Sequence, residues 1–155
     1  MDYDLMFMRE ALKEAQAAFD REDVPVGAVI TLDNNIIARA HNQVELLKDP
    51  TAHAEILAIT QAASHLKSKW LLGCKMYVTV EPCSMCAGAL VLARIKAVTF
   101  GAADPKTGAC RSVFQIASHP ALNHRVDIEA GLLAEECGAL MSEFFSAKRA
   151  ASNGK

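Results

Sequence analysis

No stretch of this 155-residue chain is apolar for long enough to cross a bilayer. Its opening, Met1-Asp2-Tyr3-Asp4, lacks the basic-then-apolar pattern of a secretion signal. A cytoplasmic location is therefore the expectation. The chain also lacks repeats, low-complexity tracts and linkers, so it reads as one domain over residues 1–155, long enough to bury a core. There is no surplus of positive charge: 16 Lys and Arg stand against 18 Asp and Glu, a net charge of −2. That balance argues against broad, non-specific nucleic-acid binding. It argues less against recognition of one small RNA loop, where a local cluster of donors suffices. A disulfide framework is missing too. Of five cysteines, Cys83 and Cys86 stand three residues apart, while Cys74, Cys110 and Cys137 are an odd, scattered set that reads as buried or incidental thiols.

What is present concentrates in two short stretches, Thr51-Ala52-His53-Ala54-Glu55 and Glu81-Pro82-Cys83-Ser84-Met85-Cys86. Each is followed by an apolar run, Ile56-Leu57-Ala58-Ile59 and Ala87-Gly88-Ala89-Leu90-Val91-Leu92, so both read as helix starts entering a core. At i and i+3, Cys83 and Cys86 share one helical face and can grip one metal ion, and a helix N-terminus favours the thiolates that bind it. His53 supplies a third, neutral ligand. Three ligands leave a tetrahedral zinc ion one open position, the mark of a catalytic site, where bound water has its pKa lowered to about 7. Glu55 suits proton transfer beside that water better than it suits the fourth ligand position. A closed structural site, with Cys74 or Cys110 as fourth ligand, is the competing reading, and it leaves Glu55 without a task.

Periodicity organises the rest. Leu5, Met8, Leu12, Ala15 and Phe19 recur at helical steps, predicting a helix from Asp4 to about Glu22. Val24–Leu32 and Ile36–Ala38 read as strands joined by the turn Asp33-Asn34-Asn35. Asp49-Pro50-Thr51 reads as the start signal of a helix over about 52–66. Then come a strand over Met76–Val80, a helix from Cys83 to about Ala93, a strand over Ala97–Gly101 and a loop over Asp104–Gly108. A short fifth strand over Arg125–Ile128 and a helix from Leu132 to about Lys148 close the chain, with Ala150–Lys155 a frayed tail. Alternating elements of this kind predict a three-layer α/β/α sandwich on a five-stranded mixed sheet.

The pattern H-x-E…P-C-x-x-C is the signature of zinc-dependent nucleobase deaminases. The fuller strings resemble one branch, the tRNA-specific adenosine deaminases. They are Val24-Pro25-Val26-Gly27-Ala28-Val29, Asn42, Asp49 to Glu55, Tyr77 to Ala89, Phe100-Gly101-Ala102, Asp104 to Gly108, Asn123-His124-Arg125 and Phe144-Phe145. The resemblance implies a cytidine-deaminase-like fold, one zinc ion per subunit, a homodimer, and conversion of the wobble adenosine of a tRNA anticodon loop to inosine. It also implies substrate contacts from Asn42, Ala54, Asp104, Lys106, Asn123, His124, Arg125, Phe145 and Arg149.

Without the resemblance, Asn42 would read as a turn asparagine and Asp104 and Lys106 as solvated loop charges. Two adjacent aromatics cannot share one helical face, so one of Phe144 and Phe145 should pack inward while the other is available to stack on a base. Arg111 stands where the branch would have a small residue, leaving an RNA contact or plain solvation open. His41, His65 and His119 read as surface or turn residues. Two rivals remain: a deaminase of a free base or nucleoside, such as guanine or cytosine, and a non-catalytic, zinc-stabilised RNA-binding module.

Overall fold

The computed structural model describes residues 1–153. Its first helix, α1 (Tyr3–Asp20), starts one residue before the periodic pattern because Asp2 Oδ1 accepts the Leu5 N–H at 3.0 Å and caps it. β1 (Gly27–Leu32) and β2 (Asn35–His41) form the expected hairpin. Asp33 and Asn34 both take positive φ, which this two-residue turn requires. β1 begins at Gly27 rather than Val24. Gly27 is where α1 lies directly on the sheet: a Cβ there would overlap the Ala11 carbonyl oxygen and the Ala15 nitrogen.

A four-residue helix not anticipated from the sequence, α2 (Val44–Leu47), follows β2. α3 (Ala54–Leu66) then starts later than Asp49-Pro50-Thr51 suggested. Asp49 Oδ1 instead accepts from the Thr51 nitrogen and hydroxyl, at 2.8 and 2.7 Å, and closes a local turn. β3 (Lys75–Val80), α4 (Ser84–Leu92) and β4 (Ala97–Ala102) follow the expected order. β5 (Asp127–Ala130) lies two residues beyond the expected strand. α5 (Ala134–Asn153) continues through Ala150–Asn153, which are helical rather than frayed; the last two positions of the expected tail fall outside the described residues.

The sheet order is β2-β1-β3-β4-β5. β1 pairs antiparallel with both neighbours, whereas β3, β4 and β5 run parallel, the mixed sheet expected of a hairpin followed by helix crossovers. Alternation sorts its residues into two layers. Ala28, Ile30, Met76, Val78, Val98 and Phe100 pack with residues of α3 and α4. On the opposite face, Val29 and Tyr77 pack with Phe7, Met8 and Ala11 of α1 and Cys137 of α5. Both β3 and β4 therefore end, at their carboxyl ends, beside the N-termini of α3 and α4.

Candidate active site and metal centre

Both short motifs land where a strand or loop hands over to a helix. His53 is the N-cap of α3 and Cys83 the N-cap of α4; both have extended backbone, and neither uses its side chain to cap its own helix. The side chains are free to turn toward each other instead. His53 Nδ1 lies 3.7 Å from Cys83 Sγ and 3.5 Å from Cys86 Sγ. Among the described residues these three form one cluster able to hold a metal ion. Zinc bonds of about 2.0 Å to nitrogen and 2.3 Å to sulfur, at a tetrahedral angle, place such atoms roughly 3.5 Å apart, so the donor set fits. Cys74 and Cys110 are buried outside the cluster, which removes the closed four-ligand alternative.

The electrostatics favour a thiolate at Cys83. The Cys83 thiol is pulled down to about 4, first by its hydrogen bond with Cys86 and further by His53, whereas that same sharing pushes Cys86 up. His53 is held above its ordinary range, chiefly by Cys83. Glu55, the second residue of α3 and 4% exposed, has its carboxyl pushed up to about 7 by burial, against opposing pulls from His53 and Cys86.

Asn42 is the capping group that Asp49 and Thr51 do not supply. From the end of β2 its Oδ1 accepts the Ala54 N–H at 2.8 Å. That bond orients the amide, engaging its acceptor and leaving Nδ2 as the donor for the cleft. Ala54 itself is fully buried, gives its N–H to Asn42 and is not among the residues that wall the cleft.

The cleft has a volume of about 360 Å³, and its walls include Asn42, His53, Glu55, Cys83, Asp104 and Thr107. An adjoining groove of about 770 Å³ shares Asp104 and Thr107 and adds Lys106, Phe145 and Arg149. Phe144 is the inward aromatic, 5% exposed and edge-on to Phe19, while Phe145 is the outward one.

Three expected site residues are not brought there within this chain. Asn123, His124 and Arg125 precede β5, whose first residue pairs with the first residue of β4; this puts them at the far end of the sheet from Cys83. The His124 ring bonds the Ile95 carbonyl oxygen at 2.6 Å, and Arg125 reaches the Pro120 carbonyl oxygen. Arg111 is exposed and does not line the cleft; its guanidinium donates to the Ile128 carbonyl oxygen at 2.8 Å. His65 and His119 are exposed as expected, but His41 is half-buried, with Nδ1 3.4 Å from Glu14.

Two buried carboxylates beside the cleft escaped the sequence reading. Asp23 accepts from the nitrogens of Val24 and Glu45, at 2.8 and 3.0 Å, and so anchors α2. Glu81 accepts from the nitrogens of Asp104, Cys110, Arg111 and Ser112 and from the Ser112 hydroxyl. Burial opposes its ionisation, but the Ser112 hydroxyl and these amides outweigh burial and hold the carboxyl below its usual range. The signal for Glu81 was an acid ending the apolar run Met76–Val80, since a charge carried into a core needs partners.

Comparison with known proteins agrees with this geometry. Residues 2–149 match the MafB19-like deaminase family. The tRNA-specific adenosine deaminase of Aquifex aeolicus is 54% identical over 143 residues, covering 92% of this chain and 94% of that protein. A solved tRNA:A34 deaminase, described as editing A to I at the wobble position, is 44% identical with a TM-score of 0.84, covering 87% of this chain and 98% of its own. The guanine deaminase of Bacillus subtilis is also similar, at 33% identity and a TM-score of 0.62, over 93% and 92% of the two chains. With its signature residues gathered in one cleft and the higher identity on the tRNA-acting side, the chain belongs to the tRNA-specific adenosine deaminases within the MafB19-like deaminase fold.

Proposed function

We propose that the protein hydrolyses the wobble adenosine of a tRNA anticodon loop to inosine and ammonia, with zinc held by His53, Cys83 and Cys86. The carrying observation is the buried Glu55 carboxyl beside that donor set, in a cleft that opens into a groove with cations and an aromatic. Zinc held there would lower the pKa of water to about 7 and make a nucleophile available at neutral pH.

Glu55 takes the proton from the attacking water and delivers it to N1 as C6 becomes tetrahedral. It then carries the proton of the new C6 hydroxyl to the exocyclic nitrogen, so that the C6–N bond breaks, ammonia leaves and the C6 carbonyl of inosine forms. Burial raises the proton affinity of the Glu55 carboxyl above the ordinary carboxylate range, which helps it hold the proton between the two transfers. Asn42 orients the purine by donating from Nδ2 to an acceptor on the base. Lys106 and Arg149 offer cations to the RNA backbone, Phe145 a face for a neighbouring base, and Asp104 and Thr107 wall the boundary between cleft and groove.

A free base would fill the cleft and leave the groove without a task, so the groove favours a polymer over the guanine- or cytosine-deaminase rival. A non-catalytic module would have no use for a buried proton carrier. The five cysteines are all unpaired, which supports a reducing compartment such as the cytoplasm. A homodimer is supported by α4: Gly88 has open space around its Cβ position, and Leu92 beyond it is 79% exposed.

The test is inosine formation by purified protein on an anticodon stem-loop with a wobble adenosine, with free adenosine, guanine and cytidine in parallel. Inosine should form only in the RNA, and Glu55→Gln should slow turnover by about 10³-fold while RNA binding persists. Turnover of a free base with none in RNA would sink the tRNA assignment.

A further inference from the structure

One wall of the cleft is a loop without regular secondary structure, and residues 104–112 of it carry Asp104 and Thr107 to the cleft and Lys106 to the groove. A strand is held by its ladder and a helix by its own turns. This segment is gathered instead onto one side chain. Glu81, 3% exposed just past β3, accepts with Oε1 from the Asp104 nitrogen at 3.0 Å and from the Ser112 hydroxyl. Its Oε2 accepts from the nitrogens of Cys110, Arg111 and Ser112 at 3.2, 2.8 and 2.9 Å. Entry and exit of the loop are thereby pinned to one carboxylate. The loop closes on it so tightly that a Cβ on Gly108 would overlap all three terminal atoms of Glu81. The tip between is set by Asp104, whose Oδ1 accepts from the Lys106 and Thr107 nitrogens at 3.0 and 3.2 Å and whose Oδ2 accepts from the Thr107 hydroxyl at 2.8 Å.

We infer that Glu81 is a positioning residue for the RNA substrate: by gathering residues 104–112 it fixes where Asp104, Lys106 and Thr107 meet the nucleotide. The inference rests on the proposed tRNA reading for the identity of that substrate. A carboxylate is the one ordinary side-chain group that fits, because five donors converge and only a group with two acceptor oxygens and no donor satisfies them. An amide of the same shape fails in either orientation. With its nitrogen at the Oε2 position it faces three backbone N–H groups; at the Oε1 position it faces the Asp104 N–H and the Ser112 hydroxyl.

The test uses Glu81→Gln, Gly108→Ala and the milder Ser112→Ala, with stem-loop kinetics, zinc content and hydrogen exchange measured on each. For Glu81→Gln and Gly108→Ala the KM for RNA should rise about tenfold, with kcat within about threefold of wild type. Ser112→Ala should shift KM the same way by less. Exchange should quicken in 104–112 alone, and zinc per subunit should not change. In a Glu81→Ala background Gly108→Ala should add almost nothing, because the atoms it would overlap are gone.

An unchanged KM with a loosened loop would overturn the positioning role. So would loss of zinc or faster exchange through β3 and α4, since Glu81 would then be supporting the metal-bearing elements. A wild-type protein that makes no inosine would overturn the substrate reading and the positioning of RNA with it, while the exchange data would still show whether the loop is clamped. The two failures are thus distinguishable.

Discussion

At the carboxyl ends of β3 and β4 four polar side chains are buried among partners: Asn42 with Ala54, Asp23 with α2, Glu81 with five donors, and Glu55 beside His53, Cys83 and Cys86. At the amino ends of the same two strands they are cations in water. Lys67, Lys69, Lys75 and Lys96 are exposed there, and Lys69 and Arg94 lie over the half-exposed Trp70 ring at 5.0 and 4.9 Å. From Ile56 to Ala103 the one acid is Glu81, and it is at the other end. Each buried polar group left unpaired would cost about 1–3 kcal/mol, so such groups persist only where a partner has been built for each. The parallel crossover explains which end received them. Helices entering from the carboxyl ends of parallel strands point their N-termini at a shared crevice, which suits thiolates and a catalytic carboxylate. A solvated cationic face requires no such construction.

The contrast is broken most severely at the cluster. Cys86→Ala removes its buried thiol; zinc per subunit, read by elemental analysis, should fall below about a tenth of wild type and turnover with it. Retained zinc at full stoichiometry would mean that the metal sits elsewhere. Asn42→Asp is subtler, because the retained Oδ1 still caps α3 while the Nδ2 donor disappears. Expected is a loss of about 10- to 100-fold in kcat/KM with an unchanged melting curve. A fall in stability instead would make Asn42 a capping residue only. The smallest effects compare the two cationic regions directly. Arg149→Ala in the groove should weaken stem-loop binding and reduce the salt dependence, log K against log salt, by about 0.7. Trp70→Ala at the far end should leave binding within about twofold, as expected of a solvated surface side chain. Equal salt slopes for wild type and Arg149→Ala would remove the groove from the RNA path.

Local chemistry made much of this legible. Asp33-Asn34 announced its hairpin turn, and the apolar run Met76–Val80 announced a buried strand. His53, Glu55, Cys83 and Cys86 were readable because their spacing already places the donors on helix starts. α2 was not legible, since four residues carry no period and the helix is held by Asp23, more than twenty positions earlier. The late start of α3 was hidden for the same reason: its cap comes from Asn42, across a loop.

The amino-acid sequence by itself determined the His53, Cys83 and Cys86 donor set with Glu55 beside it, the order of strands and helices, and a mixed sheet, because each follows from short-range spacing and periodicity. Tertiary structure decided which groups are spent on the protein and which face the cleft. It fixed the Asn42 amide against the Ala54 N–H, tied Arg111 to Ile128, placed Asn123, His124 and Arg125 at the far end of the sheet within this chain, and folded residues 104–112 onto Glu81. Those outcomes depend on which distant backbone N–H or carbonyl lies within hydrogen-bonding reach, and only the packed chain fixes that distance.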